Sequence, residues 1–314
     1  MNILIIADPL DSFKIYKDTT CAIMRAASLR GHTVWACEQK DLLATPLVQA
    51  TVKQLTLNDD YTAPNWYTIN TVQTRALARF DAVIMRKDPP FDTEYFYATH
   101  LLSRAEQQGT RVYNSGQALR DHPEKLAILE FPDLSPTTLV SSDTVQLKAF
   151  IYEHKDVILK PLDGMGGTGI FRVKLNDFNT NVIIEMLTQL GRQTIMAQKY
   201  LPEITQGDKR VLLIGGEPVP FCLARIPQIG ETRGNLAAGG RAEARPLTDS
   251  DWRIARSVAH AVQGRGLFLI GLDIIGDKLT EINVTSPTCF VEIKDQTGFD
   301  VAAMYIEKLG KIKF

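Results

Sequence analysis

The stretch Val157-Ile158-Leu159-Lys160-Pro161-Leu162-Asp163-Gly164-Met165-Gly166-Gly167-Thr168-Gly169-Ile170-Phe171-Arg172-Val173 reads as strand, glycine-rich turn, strand. Val157 to Lys160 is the first strand, and Ile170 to Val173 resumes one. The glycines let backbone N–H groups turn toward an anion, the geometry that holds phosphates. A Walker A loop would need Gly-x-x-x-x-Gly-Lys-Ser/Thr, which is absent, and the dinucleotide fingerprint would open a helix at its third glycine. A tight hairpin turn is the plain alternative. Lys160 tips the reading, because a strand lysine beside a flexible glycine loop is a recurring phosphate clamp.

Upstream the chain is built differently. Ile3 to Ala7 is a continuous apolar run ending at Asp8-Pro9, as a buried parallel strand would be. Asp18 caps a helix carrying Ile23, Met24, Ala27 and Leu29 that stops at Gly31; Val34 to Cys37 and Asp81 to Arg86 are further strands. Asp92 caps a helix ending near Gly109. This alternation predicts an open α/β sheet over residues 1–120. Residues 41–75, rich in Thr, Asn, Asp and Gln, read as loop and edge structure. Downstream, helices are expected over Val182–Leu190 and Asp249–Gln263, with a hairpin from Arg210–Ile214 to Pro218–Arg225 around Gly215-Gly216. The pairing style changes near Asp121, so a second domain is expected over 121–314.

Composition removes several function classes. The 314 residues are 45% hydrophobic and 23% charged, as in an ordinary soluble globular protein rather than a disordered one. Lys and Arg number 35 against 36 Asp and Glu, so nucleic-acid or anionic-membrane binding lacks its cheapest driving force. No apolar run is long enough for a membrane helix, and the N-terminal residues do not read as a signal peptide. Cys21, Cys37, Cys222 and Cys289 are far apart and the histidines do not cluster, so neither a disulfide framework nor a zinc site is expected. The expected compartment is the reducing cytoplasm.

The segment Asp273-Ile274-Ile275-Gly276-Asp277-Lys278-Leu279-Thr280-Glu281-Ile282-Asn283 is a hairpin with two possible registers. A two-residue turn at Gly276-Asp277 mixes apolar with polar partners. A three-residue loop pairs Leu272 with Ile282 and sets Asp273 opposite Glu281, on one face with Asn283. Register follows the hydrophobic pattern, so the second is expected. Three oxygen donors on one face suit Mg²⁺, although an ordinary half-solvated hairpin has the same pattern. Residues 226–241, with four glycines and the arginines Arg233 and Arg241, have the character of a closing lid rather than a surface loop. With Arg86, Arg210 and Arg225 these arginines form a set better suited to an anion-binding cleft than to separate surface ion pairs.

Taken with Met85-Arg86-Lys87-Asp88-Pro89-Pro90-Phe91-Asp92, Gly207-Asp208-Lys209-Arg210, Leu223-Ala224-Arg225-Ile226-Pro227, Arg233 through Gly240 and Glu281 through Thr288, these motifs closely resemble the bacterial glutathione synthetase family of ATP-grasp ligases over essentially the whole chain. The resemblance implies an N-terminal α/β domain followed by a two-lobed α+β ATP-grasp domain, with a central lobe about 129–202 and a C-terminal lobe about 203–314. It implies ATP-dependent joining of γ-glutamylcysteine to glycine through an acyl phosphate, with Mg²⁺ or Mn²⁺, in a cytoplasmic homotetramer. By resemblance, Lys125 and Lys160 would hold phosphates under the loop Gly164, Met165, Gly166 and Gly167. Gln198, Lys199, Tyr200 and Leu201 would bind adenine and Asp208 the ribose. Asp273, Glu281 and Asn283 would bind the metal. Arg210 would stabilise the acyl phosphate, and Arg86, Arg225, Arg233, Ser286 and Thr288 would grip the peptide. Gly240 and Arg241 would close the lid. Val291 is a departure, since relatives often carry Arg there. The rival readings are another ATP-grasp ligase, of the D-alanine or glutamate ligase type, and a nucleotide-binding regulatory module without turnover.

Overall fold

The computed structural model describes residues 1–58, 65–164, 166–228 and 239–311. Among these residues, sixteen strands form three sheets with eight α-helices. The first group holds β1 (Asn2–Ile6), α1 (Thr19–Leu29), β2 (Thr33–Cys37), β3 (Leu42–Thr45), β4 (Leu47–Leu57), β5 (Tyr67–Ala76), β6 (Ala82–Met85), α2 (Thr93–Gln107), β7 (Val112–Tyr113) and α3 (Gly116–Asp121). The second holds β8 (Thr138–Ser141), α4 (Thr144–His154), β9 (Asp156–Pro161), β10 (Phe171–Lys174), α5 (Thr180–Thr188) and β11 (Ile195–Lys199). The third holds β12 (Asp208–Ile214), β13 (Glu217–Ile226), β14 (Arg241–Pro246), α6 (Asp249–Ala261), β15 (Leu269–Ile275), β16 (Lys278–Asn283), α7 (Phe290–Thr297) and α8 (Val301–Leu309).

β1 is the parallel centre of the first sheet, paired with β2 on one side and β6 on the other. Its alternate residues feed different cores: Leu4 and Ile6 join one apolar cluster, Ile3 and Ile5 another. All four are fully buried, each contributing about 1.5–3 kcal/mol, so both faces of the strand are covered. That is why the run is continuously apolar rather than alternating. The helices start where expected: the Asp18 carboxylate accepts from Cys21 N at 2.8 Å and that of Asp92 from Tyr95 N at 2.8 Å, each satisfying a free first-turn donor.

Residues 41–75 overturn the expectation of loop. They contain β3, β4 and β5, and β4 with β5 makes a long antiparallel ribbon. Val48, Ala50 and Val52 are buried at a period of two, the mark of a half-covered strand. The intervening Thr, Gln and Lys made the segment look like loop, but they are the outward face. β5 is exposed along most of its length, consistent with the edge character expected there.

The later sheets are antiparallel. The second runs β10-β9-β11-β8 and the third β14-β13-β12-β15-β16. β9 and β10 flank the glycine-rich turn, with Leu159 opposite Phe171. In the β15–β16 hairpin, Asp273 faces Glu281 and Leu272 faces Ile282, as expected. The turn itself differs: Ile275 pairs with Lys278, so only Gly276 and Asp277 form it. A register shift between Asp273 and Ile274 then leaves Thr280 as the extra residue and restores the expected pairing. Thr280 Oγ1 donates to Asp273 O at 3.1 Å and holds the bulge.

Candidate active site

The ends of β9, β12, β15 and β16 meet at a cleft of about 390 Å³. Lys160 enters from β9, where it pairs with Met196 of β11. Its Nζ is buried and donates to Thr280 O at 3.4 Å, so the bulge also supports this lysine. Burial pushes the Lys160 ammonium below the ordinary lysine value, against the pull of Glu281. Lys125 enters from the segment after α3. Its Nζ donates to Gly164 O at 3.0 Å and lies 3.5 Å from Glu281 Oε1. Two cations therefore stand between the glycine-rich turn and β16.

Below them is a buried charge cluster set by strand register. β12 lies between β13 and β15, with Asp208 opposite Arg225 and Arg210 opposite Asp273. Arg210 grips Asp273 through Nε at 2.5 Å and NH2 at 3.0 Å. Arg225 NH2 reaches Asp273 Oδ2 at 2.9 Å and Asp208 Oδ2 at 2.5 Å. Burial works to raise the Asp273 carboxyl, but Arg210 and Arg225 overcome it and hold it well below the usual carboxylate range. Burial also raises the Asp208 carboxyl, with Arg225 opposing. Among the described residues Asp208 Oδ1 has no hydrogen-bond partner, although it is buried and can accept.

The wall brings together most residues expected from sequence. Lys125, Lys160, Gly164, Gly166, Gly167, Asp208, Arg210 and Arg225 line it, with Gln198, Lys199, Tyr200 and Leu201 at the β11 end. Asp273, Glu281, Asn283, Ser286 and Thr288 line it as well. Arg86 is not on this wall: it is buried, its Nε donates to Thr20 Oγ1 at 3.1 Å, and its carbonyl accepts from Ser286 Oγ at 3.4 Å. Arg241 is exposed and paired with Glu243 at 3.3 Å, with Gly240 just before it. Met165, Arg233 and the central part of the expected lid lie outside the described residues. The flanks of that segment are joined, because Ile226 and Arg241 are register partners.

Sequence reasoning missed several wall residues. Ile158, Ile204 and Ile275 give the Gln198–Leu201 end an apolar surface suited to a flat ring. They read as ordinary core in the sequence. Glu124 and Glu292 also line the cleft. Glu124 carried no signal except its place beside Lys125.

Among the described residues, no three His, Cys, Asp or Glu side chains form a closed metal cage. The donors fit a hydrated hard cation instead. Asp273 and Glu281 are carboxylates facing each other, and Asn283 Nδ2 donates to Gly271 O at 3.2 Å, which leaves its amide oxygen as acceptor. Two or three oxygen ligands completed by water and phosphate are how Mg²⁺ is ordinarily held.

Known proteins resemble this chain over nearly its whole length. Residues 1–120 match the N-terminal domain of prokaryotic glutathione synthetase, and residues 124–298 match its ATP-grasp domain. The chain is 57% identical over 309 residues to a glutathione synthetase of Bordetella parapertussis, covering 97% of each. It is 53% identical to one of Neisseria meningitidis, covering 99% of each. Among solved structures, the D-cycloserine synthetase DcsG superposes with a TM-score of 0.68 at 16% identity, over 99% of both chains. The ATP-grasp ligase PsnB, complexed with a precursor peptide and AMPPNP, gives 0.62 at 20% identity, over 99% of this chain and 97% of PsnB. These two likenesses concern the fold.

Proposed function

The chain belongs to the prokaryotic glutathione synthetase family, and from that premise we propose how its cleft performs the ligation. The reaction joins γ-glutamylcysteine to glycine with ATP, giving glutathione, ADP and phosphate. The observation that carries the residue assignment is the convergence of Lys125, Lys160, Arg210 and Arg225 on one cleft with Asp273, Glu281 and Asn283.

ATP lies with its adenine against Ile158, Ile204 and Ile275 at the Gln198–Leu201 end. Its ribose hydroxyls donate to Asp208, which supplies the unpartnered Oδ1. Lys125 and Lys160 receive the phosphates beneath Gly164–Gly167. Asp273, Glu281 and Asn283 would hold Mg²⁺, which when bound neutralises phosphate oxygens. The cysteinyl carboxylate of the dipeptide takes the γ-phosphoryl group, and ADP leaves. Arg210 and Arg225, already fixed by Asp273, face the charge that develops on the acyl phosphate. Fixed cations cost no reorganisation at the moment of reaction. The glycine amine then attacks the acyl carbon, the carbon–oxygen bond breaks, and phosphate departs. Ser286 and Thr288 grip the peptide from the loop after β16, with Arg86 behind them. Arg233, Gly240 and Arg241 would, by family resemblance, close over the reaction. Residues 1–120 are the N-terminal domain and 121–314 the ATP-grasp domain, a division supported by the extents of the three sheets.

A reducing, cytoplasmic location suits four buried free thiols, and a homotetramer is the family-based assembly, which light scattering would measure. No helix among the described residues is long and apolar enough to cross a membrane. The deciding experiment is ADP release with Mg²⁺-ATP, γ-glutamylcysteine and glycine, omitting each in turn, with the product identified by mass. ADP should require every component and match glutathione one to one. Turnover with a different acid–amine pair alone would move the chain to another ligase specificity. ATP binding without turnover on any pair would favour the regulatory-module reading.

A further inference from the structure

Among the described residues β16 is the edge strand of its sheet, so its outer backbone groups have no strand partner there. That edge is also where the cleft's assigned donors sit: Glu281 and Asn283 before the strand end, Ser286 and Thr288 just after it. A free edge is a poor support for groups that must keep fixed spacing. The chain covers it with the segment that follows α3. Leu279 N donates to Leu134 O at 2.8 Å, and Ile282 N donates to Glu124 O at 3.0 Å. Beyond Ile282 the Glu124 side chain takes over from its backbone. Its Oε1 accepts from Val284 N at 2.9 Å, Thr285 N at 3.0 Å and Thr285 Oγ1 at 2.8 Å. One residue therefore binds the edge at 282 and the loop just beyond it at 284 and 285, and spans the junction between the two sets of donors. Its neighbour Lys125 fixes Glu281 and Gly164.

We propose that Glu124 is a positioning residue that sets the spacing between Glu281 and Asn283 on one side and Ser286 and Thr288 on the other, and so aligns phosphate and peptide for phosphoryl transfer. The proposal rests on the ligase reading above. Glu124 need not touch a substrate to act: it orders the backbone from which four cleft residues project. Oε1 accepts hydrogen bonds in either protonation state, so the splint requires an acceptor rather than a charge. The conservative Glu124→Gln keeps an acceptor oxygen, whereas Glu124→Ala removes all three side-chain contacts. Thr285→Val removes one contact and leaves Glu124 in place.

Steady-state kinetics at varied Mg²⁺, ATP and dipeptide, with direct binding of AMPPNP, test this. Glu124→Ala should lose about 100-fold in kcat, the scale of a 1 Å misplacement, and need more Mg²⁺ for half-saturation. Its AMPPNP affinity should stay within about twofold, because the adenine, ribose and Lys160 contacts lie on other elements and Lys125 keeps its own hold on Gly164. Glu124→Gln should retain kcat within about fivefold, and Thr285→Val should show the same pattern at a smaller size. If Glu124→Ala fails to fold, the Gln and Val variants carry the test. The proposal is overturned if Glu124→Gln is as damaged as a folded Glu124→Ala, or if AMPPNP affinity falls in step with kcat. It is equally overturned if Thr285→Val leaves kcat and the Mg²⁺ requirement unchanged. Glutathione formation by the unmutated chain is measured first. Its failure would sink the ligase reading, whereas an active parent with indifferent variants sinks only the role of Glu124.

Discussion

Arg210 meets Asp273 through two donors, Nε at 2.5 Å and NH2 at 3.0 Å, and only a planar guanidinium makes both contacts at once. A lysine at 210 would keep the charge but lose the fork and its fixed direction. Arg210→Lys is therefore expected to lower kcat by about 100-fold, comparable to removing one preorganised donor. The KM for ATP should change little, because Lys125 and Lys160 remain. Steady-state kinetics check both, and a Lys variant with near-normal kcat would show that charge alone suffices. Of the arginine set expected from sequence, Arg210 and Arg225 meet in the cleft, whereas Arg86 is buried against Thr20, Arg241 is exposed beside Glu243 and Arg233 lies outside the described residues. Their partners were not legible. Asp273 lies 63 positions from Arg210, and their meeting depends on β12 pairing with β15, which no local pattern announces. Glu124 was hidden for the same reason: its three acceptor contacts are to residues about 160 positions away.

At the scale of elements, the β15–β16 hairpin separates what pattern can fix from what it cannot. The apolar pairing of Leu272 with Ile282 set the face on which Asp273, Glu281 and Asn283 lie. The turn length was open to compensation, and a bulge at Thr280 supplied it. Such an extra residue has a use here, since it directs the Thr280 carbonyl toward Lys160. Residues 41–75 were misread because β4 and β5 carry polar residues on their open faces, so composition hid the strand period. The third sheet contains a close approach that sequence cannot show. A Cβ on Gly271 would stand 2.9 Å from Arg210 Cδ and 3.1 Å from Pro287 Cβ. Gly271 is also the register partner of Asn283 and accepts from its amide. Gly271→Ala should therefore displace Arg210 and the loop before Thr288 together. We expect a 10- to 100-fold loss in kcat, with overpacking costing about 1–3 kcal/mol of stability. Kinetics and thermal denaturation on the same preparation measure both effects, and unchanged kcat would mean that Arg210 moves aside without consequence.

At the scale of the molecule, packing divides the chain differently from sequence order. Leu4 and Ile6 of β1 share an apolar cluster with Ile270 and Leu272 of β15, and Ile3 and Ile5 share another with Leu212 and Ile214 of β12. The first and third sheets thus hold one another, although residues 138–199 separate them in the chain. The second sheet has a further cluster, built from Leu147 through Ala197 and including β9, while Met196 of β11 belongs to the larger one. Asn114, just past β7, is the polar link of the larger body. Its Oδ1 accepts from Phe268 N at 2.6 Å and Leu269 N at 2.9 Å, and its Nδ2 donates to Leu269 O and Val284 O at 2.8 Å each. All of these groups are buried, and an unpartnered buried backbone group costs about 1–3 kcal/mol. Asn114→Ala leaves four of them without a side-chain partner, so a loss of about 3 kcal/mol or more is expected even after relaxation. Because the two sheets share their cores, the loss should appear equally at both. Native-state hydrogen exchange should show the amides of β1 and β15 losing protection by the same free energy, and those of β9, in the separate cluster, losing less. If β15 alone loosened while β1 kept its protection, the first and third sheets would be independent units that merely touch. If both fall together, the scaffold behind Arg86, Arg210 and Ser286 is one cooperative body, and opening of the cleft must come from the second sheet.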